Sequence, residues 1–223
     1  MRKTCISKDW LLKAPGTNGY VPVDLPNDYT ISLPRSADVP GGAANGFFPG
    51  GDGRYVKYLT PGDEQRHMIL DLDGAYMCAE VMYNEDVLIM HPHGYAPVLV
   101  DLTDKTRFGR TNKLVVSTKG LQPSTRWYSG AGVYRDVFLW TGGDVRVEPR
   151  DLFITTPEAT DEKATVKAAY AITADRAAGV TVKAAVVSPD GQTVAAGEGT
   201  LAVQKCEKAP LTLTLSVDHP QLW

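Results

Sequence analysis

"AEVMYNEDVLIMH", residues 79–91, decides the fold class. Successive side chains of an extended chain point to opposite faces, so Ala79, Val81 and Tyr83 share one side and Glu80, Met82 and Asn84 the other. The polar triplet Asn84-Glu85-Asp86 interrupts the run, which resumes with Val87 to Met90, and this is the pattern of a β-hairpin. The same alternation recurs in "NKLVVST" (112–118) and "GVYRDVFLW" (132–140). In the latter, Val133, Arg135, Val137 and Leu139 fall opposite Tyr134, Asp136, Phe138 and Trp140. Helical periodicity is almost absent, and the 21 glycines and 15 prolines lie mostly between the alternating runs. That combination predicts an all-β sandwich.

The texture changes near residue 148. Before it lie the long glycine-rich loops, three of the four tryptophans and all but one of the histidines. After it, "ATVKAAYAIT" (164–173), "VTVKAAVVS" (180–188) and "LTLTLSV" (211–217) are clean alternating strands, and "SPDGQTV" (188–194) carries Asp-Gly turn chemistry. Short strands in so few residues suit a small immunoglobulin-like sandwich. "VEPRD" (147–151), stiffened by Pro149, is the expected joint between a domain over 1–148 and another over 149–223.

Composition excludes several classes. A chain of 223 residues allows one large or two modest domains, and at 43% hydrophobic and 22% charged it has ordinary globular character. A net charge of -3 predicts no nucleic-acid partner and no attraction to an anionic membrane. No apolar run approaches the roughly 20 residues of a spanning helix. "MRKTCISKDW" begins with basic residues but has no apolar core of a leader, so the expected location is cytoplasmic. Cys5, Cys78 and Cys206 are sparse and unpaired in sequence, which argues against a disulfide framework or a zinc site; Cys78 reads as a small buried hydrophobe in a strand. No metal site and no cofactor are expected.

The residue patterns that would carry catalysis are missing: there is no GxSxG, no local Cys–His motif and no glycine-rich phosphate loop. His91 and His93 supply two imidazoles where a metal wants three or four ligands, so both are expected to serve the structure. Carboxylates cluster in turns (Asp63, Glu64, Glu85, Asp86), and spacing nominates no acid/base pair across a cleft.

Binding residues are better represented. "GGAANGFFPGGDGRYVKYL" (41–59) is a long loop feeding a strand, with Asn45, Phe47 and Phe48 at its centre; the two rings either pack under the loop or face outward. In "STRWYSG" (124–130), Arg126 offers a fixed fork of donors, and Trp127 and Tyr128 offer flat faces with polar edges. Such a set suits a sugar ring, with its C–H faces and hydroxyls, but equally a corner plug in which Arg126 bonds backbone carbonyls.

The order and spacing of "VDLPNDYTISLP", "GFFPGGDGRYVKYL", "LDLDGAYMCAEVMYNEDVLIMHPHGYAPVLVDLT", "NKLVVST" and "STRWYSGAGVYRDVFLW" resemble the N-terminal sugar-binding domain of glycoside hydrolase family 2, most of all its bacterial β-galactosidase branch. The likeness covers about residues 8–148, and 149–223 resemble the immunoglobulin-like domain that follows, with "VDHPQLW" (217–223) as its closing strand. The resemblance implies a jelly roll, then an immunoglobulin-like sandwich, then a (β/α)8 barrel whose two glutamates hydrolyse the glycoside with retention. That barrel would begin beyond Trp223, so the chain reads as a non-catalytic portion that lends loops to the active site and is inactive alone. By the same resemblance Arg126, Trp127 and Tyr128 line the pocket for a terminal β-galactoside or related sugar, and the loop with Asn45 and Phe47 approaches the same mouth. Family members are often homo-oligomers, which makes a homo-oligomer of the whole enzyme a further expectation. Arg126 stands where some relatives place a sodium-binding Asp, Asn27 where His is frequent, and "YNED" where the hairpin usually turns on Asn-Gly. A free carbohydrate-binding module and a structural or adhesive pair of sandwiches are the competing readings.

Overall fold

The structure, a computed structural model, describes residues 1–62, 64–124 and 130–222. Fifteen strands are formed among them: β1 (Arg2–Cys5), β2 (Trp10–Lys13), β3 (Val21–Val23), β4 (Gly51–Leu59), β5 (His67–Leu72), β6 (Ala79–Tyr83), β7 (Asp86–His91) and β8 (Val98–Asp101) come first. They are followed by β9 (Asn112–Gly120), β10 (Val137–Gly142), β11 (Val145–Ala159), β12 (Lys163–Ala174), β13 (Ala178–Val187), β14 (Thr193–Val203) and β15 (Lys208–Asp218). Helix is confined to single 3-10 turns, as the absence of a 3.6-residue period requires. The protein is all-β.

Two compact units divide the chain: Arg2–Thr141, and Gly142–Trp223 together with Met1. The division falls ahead of the 148/149 joint read from the sequence. Pro149 lies inside β11, where the pairing with β12 breaks between Val147 and Leu152 and Arg150 adopts a φ of +72°. A proline on an edge strand next to a bulge donates no ladder hydrogen bond, so it does not end the strand.

The first unit is a jelly-roll sandwich of a six-stranded sheet, β3-β2-β4-β9-β6-β7, over a four-stranded sheet, β1-β10-β5-β8. Strand alternation builds its core directly. Trp10, Leu12, Tyr55, Val81, Tyr83, Leu114 and Val116 point inward from the first sheet, and Met68, Leu70, Leu72, Val98, Val100, Val137 and Leu139 from the second, all buried. Burying side chains of this size stabilises by roughly 1.5–3 kcal/mol each before conformational entropy is set against it. The face assigned to Ala79, Val81 and Tyr83 is the buried one.

The hairpin turns on two residues, Asn84 and Glu85, at φ +50° and +78°. Two left-handed residues are the type I′ geometry that suits strand twist and that Asn-Gly usually supplies. Here the Asn84 side chain holds the turn: its Oδ1 accepts from the Lys113 amide at 3.0 Å, and its Nδ2 donates to Asn112 Oδ1 at 2.7 Å. Arg135 departs from the predicted face and is exposed, because β10 begins only at Val137. Cys78 is half-buried at φ +50° just before β6, not buried within a strand; Cys5 and Cys206 are exposed, and all three are free thiols.

The second unit is the immunoglobulin-like sandwich, with β11-β12-β15 in one sheet and the β13-β14 hairpin in the other. The Asp-Gly turn forms as read: Gly191 takes φ +86°, and the Ser188 amide donates to the Gln192 carbonyl at 2.9 Å. Ile172, Ala174, Val203 and Ala209 make its small buried core.

Candidate functional site

Three loops meet at the end of the six-stranded sheet where β4 begins and β9 ends. The first is 41–50, which is not structureless. Gly42–Asn45 forms a 3-10 turn closed by Gly46 at φ +60°. Asn45 is 2% exposed and points its amide at the Phe48 carbonyl, while Phe47 stands outward at 41% exposure. Phe48, at 7% exposure, lies under the loop with the Arg35 guanidinium 4.2 Å above its ring. The two rings thus take opposite fates.

The second loop follows β9. Gln122 Nε2 donates to the Phe48 carbonyl at 2.6 Å, which fastens the start of the 121–124 segment to the first loop. The third is 27–30. Asp28 Oδ1 accepts from the Thr30 amide at 2.9 Å and from the Ala131 amide at 3.1 Å. Gly132 exchanges two backbone hydrogen bonds with Tyr76, at 2.8 and 2.9 Å. It has φ +142°, and a Cβ there would come within 2.4 Å of the Asn27 carbonyl and 2.5 Å of the Tyr55 hydroxyl, so only glycine fits. Asn27, where the resemblance favours His, accepts from the Tyr55 hydroxyl on Oδ1 at 2.7 Å. Burial pushes the Tyr55 hydroxyl pKa far upward. Tyr29 is likewise buried, donates to the Gly51 carbonyl at 2.8 Å, and has its pKa pushed up to about 12 by burial.

Arg126, Trp127 and Tyr128 lie outside the described residues. The segment that holds them is flanked by two fixed points, Gln122 before and Ala131–Gly132 after. Beside the second fixed point is a cleft of about 270 Å³ formed by Asp28, Tyr76, Tyr95, Tyr134 and the backbone of 130–132. Tyr76 and Tyr95 have ring centroids 5.4 Å apart, and Tyr95 is half exposed. The Tyr134 hydroxyl donates to the Gly94 carbonyl at 2.8 Å, holding the 93–96 turn against the cleft. His93 caps that turn: its Nδ1 accepts from the Tyr95 and Ala96 amides at 3.2 and 3.1 Å, which places its proton on Nε2.

The sequence reading missed this tyrosine cleft. Its members come from four separated segments, and no local motif joins them. Chemically, it offers aromatic faces, phenol hydroxyls and one carboxylate, a set suited to holding a hydroxylated ring. It does not offer the pair of carboxyls that glycoside hydrolysis uses, because Asp28 is the one acid lining it among the described residues. Among the described residues, no group of three or more His, Cys, Asp or Glu side chains is placed to hold a metal.

No family model matches the chain. Among curated proteins, it is 31% identical over 211 residues to a β-galactosidase of Bacteroides ovatus, a stretch covering 92% of this chain and 25% of that protein. It is 26% identical over 187 residues to a β-glucuronidase of Bacteroides fragilis, covering 78% of this chain and 27% of that protein. Among solved structures, a glycosyl hydrolase family 2 member from Bacteroides cellulosilyticus superposes on 100% of this chain with a TM-score of 0.89 at 28% identity, the match covering 31% of that structure. The chain therefore spans about a quarter of the length of the curated β-galactosidase it matches. With its full length matched in fold and most of it in sequence, the chain, as two β-sandwich units, is similar to a portion of glycoside hydrolase family 2 proteins.

Proposed function

We propose that the chain is the non-catalytic, sugar-holding portion of a retaining glycosidase acting on a terminal β-galactoside or a related β-linked sugar. The observation that carries this reading is the convergence of three loops at one end of the jelly roll, each anchored to another: Phe48 to Gln122, and Asp28 to Ala131. Anchored loops hold contacts in place without ordering cost at the moment of binding, which is what a pocket wall requires. Arg126, Trp127 and Tyr128 are the residues proposed to face the sugar, with Phe47 on the neighbouring loop. Asn45, buried with its amide toward the Phe48 carbonyl, is proposed to serve the sugar site from the same loop, by holding its shape. The bond-breaking carboxylates belong, on this reading, to a barrel domain that the chain does not contain.

Hydrolysis of chromogenic glycosides tests the proposal. The 223-residue chain alone should show no sustained turnover of a β-galactoside or a β-glucuronide. A polypeptide that adds the barrel should hydrolyse one of them with retained anomeric configuration. Sustained turnover by the chain alone, or an inverted product from the longer polypeptide, overturns the reading. The relative bearing a β-galactosidase name is the more similar in sequence, 31% against 26%, which favours the galactoside.

A further inference from the structure

The opposite end of the six-stranded sheet carries a second constellation that the loop site does not use. β4 is nine residues long, so its last residues lie about 26 Å from its first at roughly 3.3 Å per residue. There, Tyr58, Asn84, Glu85, Arg107, Thr111 and Lys113 line a depression of about 240 Å³. Tyr58 is 55% exposed on β4, and Lys113 is its cross-strand partner on β9. Arg107 and Lys113 are exposed and make no ion pair among the described residues.

Exposed cations are most often only a solvated surface. What sets these apart is the buried framework beneath them. Asn112 has no exposed surface, and its side chain is used four times. Its Oδ1 accepts from the Arg107 amide at 2.8 Å and from Asn84 Nδ2 at 2.7 Å. Its Nδ2 donates to the Arg107 carbonyl at 3.0 Å and the Arg110 carbonyl at 2.7 Å. Asn84 extends the network, donating to the Lys105 carbonyl at 2.8 Å and accepting from the Lys113 amide at 3.0 Å. Two asparagines thus fix the main chain of Lys105, Arg107, Arg110 and Lys113. Of these, Lys105 is occupied by Asp86 at 3.0 Å.

We propose that this depression is a second glycan site, selective for a sugar residue that bears a carboxylate or sulfate group. The Tyr58 ring would take the C–H face of the pyranose, and the Arg107 fork and the Lys113 ammonium would take the anionic substituent. Glu85 also lines the depression and is the one acid there. It is free to accept from sugar hydroxyls, and it disfavours a ligand with anionic groups on both edges. The depression is smaller than the roughly 300 Å³ of pockets that enclose a whole ligand, so it seats one unit of a longer chain. Its distance from the loop site makes it independent of the reading proposed above.

Affinity electrophoresis of the 223-residue chain tests it, with polygalacturonate, dextran sulfate or neutral dextran cast into native gels. Retardation by at least one charged polymer and none by the neutral one is expected, and which charged polymer acts says whether carboxylate or sulfate is read. Tyr58→Ala and the double variant Arg107→Gln/Lys113→Gln should each weaken the retardation at least fivefold. Lys163→Gln/Lys167→Gln, an equal loss of charge in the second unit, should leave it unchanged. These side chains are exposed, and an unaltered circular dichroism spectrum confirms that each variant is folded. No retardation by either charged polymer, equal retardation by the neutral one, or a Tyr58→Ala protein that binds like the parent would each overturn the proposal, the last by reducing it to diffuse charge attraction.

Discussion

Gln122 Nε2 reaches the Phe48 carbonyl at 2.6 Å, and this one hydrogen bond joins the two loops that the sequence singles out separately. Seventy-four positions separate the partners, so the contact reports the fold and not a local turn. Arg35 lies over the Phe48 ring at 4.2 Å, so Phe48 is held through its ring as well as through its carbonyl.

Replacing Gln122 with Ala removes the donor and leaves a half-buried carbonyl with one partner fewer. The expected loss is about 1 kcal/mol of stability in the first unit, read from urea unfolding, because a neutral hydrogen bond nets roughly that. The loop should respond more than the core: limited proteolysis is expected to cut within 41–50 several-fold faster in Gln122→Ala. A proteolysis rate unchanged from the parent would mean that Phe48 packing alone holds the loop.

Gly132 is the stricter anchor. Its φ of +142° and the 2.4 Å approach of a Cβ to the Asn27 carbonyl exclude any side chain. Gly132→Ala should lower stability by about 2 kcal/mol or more through clash and backbone strain together. Asp28→Ala acts on the same corner from the other side, leaving the Thr30 and Ala131 amides without their acceptor at about 1–3 kcal/mol. Because the two substitutions share one corner, the double variant should lose less than the sum, which a double-mutant cycle measures. Full additivity would show that they act at separate places.

What the sequence made legible was whatever alternates. The faces of β6, β12 and β15 follow from a period of two, because a half-buried strand repeats its exposure every second residue. Arg135 shows the limit: alternation cannot tell where a strand begins, and β10 starts at Val137, four residues after the alternation begins at Val133. The tyrosine cleft was invisible for a different reason. Tyr76, Tyr95 and Tyr134 are brought together by the Tyr76–Gly132 bridge and by the bond from the Tyr134 hydroxyl to the Gly94 carbonyl, contacts set by topology, the first carried wholly by backbone atoms that every sequence possesses and the second accepted by one. The opposite fates of Phe47 and Phe48 were likewise beyond reach, since they depend on a φ of +60° at Phe47 that no residue type announces.

In the second unit, the Arg146 guanidinium is 9% exposed and lies between Glu148 at 3.0 Å and Asp175 at 3.1 Å. Arg146→Ala leaves two carboxylates facing each other across the vacated position, and both lose a charged donor. Stability of that unit should fall by about 1.5–3 kcal/mol at neutral pH, the range for hydrogen bonds to charged groups. Restoring the charge as Lys should recover only part, since an ammonium cannot address two carboxylates with a planar fork. A Lys variant as stable as the parent would show that charge, and not geometry, is what the site uses.

Alkaline pH probes the buried tyrosines of the first unit. Burial holds Tyr29 neutral up to about pH 12 against an ordinary 10.0, and pushes Tyr55 upward as well. Above pH 10 the unfolded chain releases these protons while the folded one keeps them, so the unfolded state binds fewer protons and stability must fall as pH rises. The contribution is fully present below pH 10 and is lost progressively as pH climbs from 10 through about 12. Urea midpoints for the first unit should therefore be flat from pH 7 to 9 and decline beyond. Tyr29→Phe should flatten that decline while lowering the neutral-pH stability by about 1 kcal/mol, because the Gly51 carbonyl loses its donor. Tyr55→Phe should flatten it further, and its phenyl ring keeps the core filled. If the double variant declined as steeply as the parent between pH 10 and 11.5, the alkaline loss would come from other groups, and the buried phenols would not be its source.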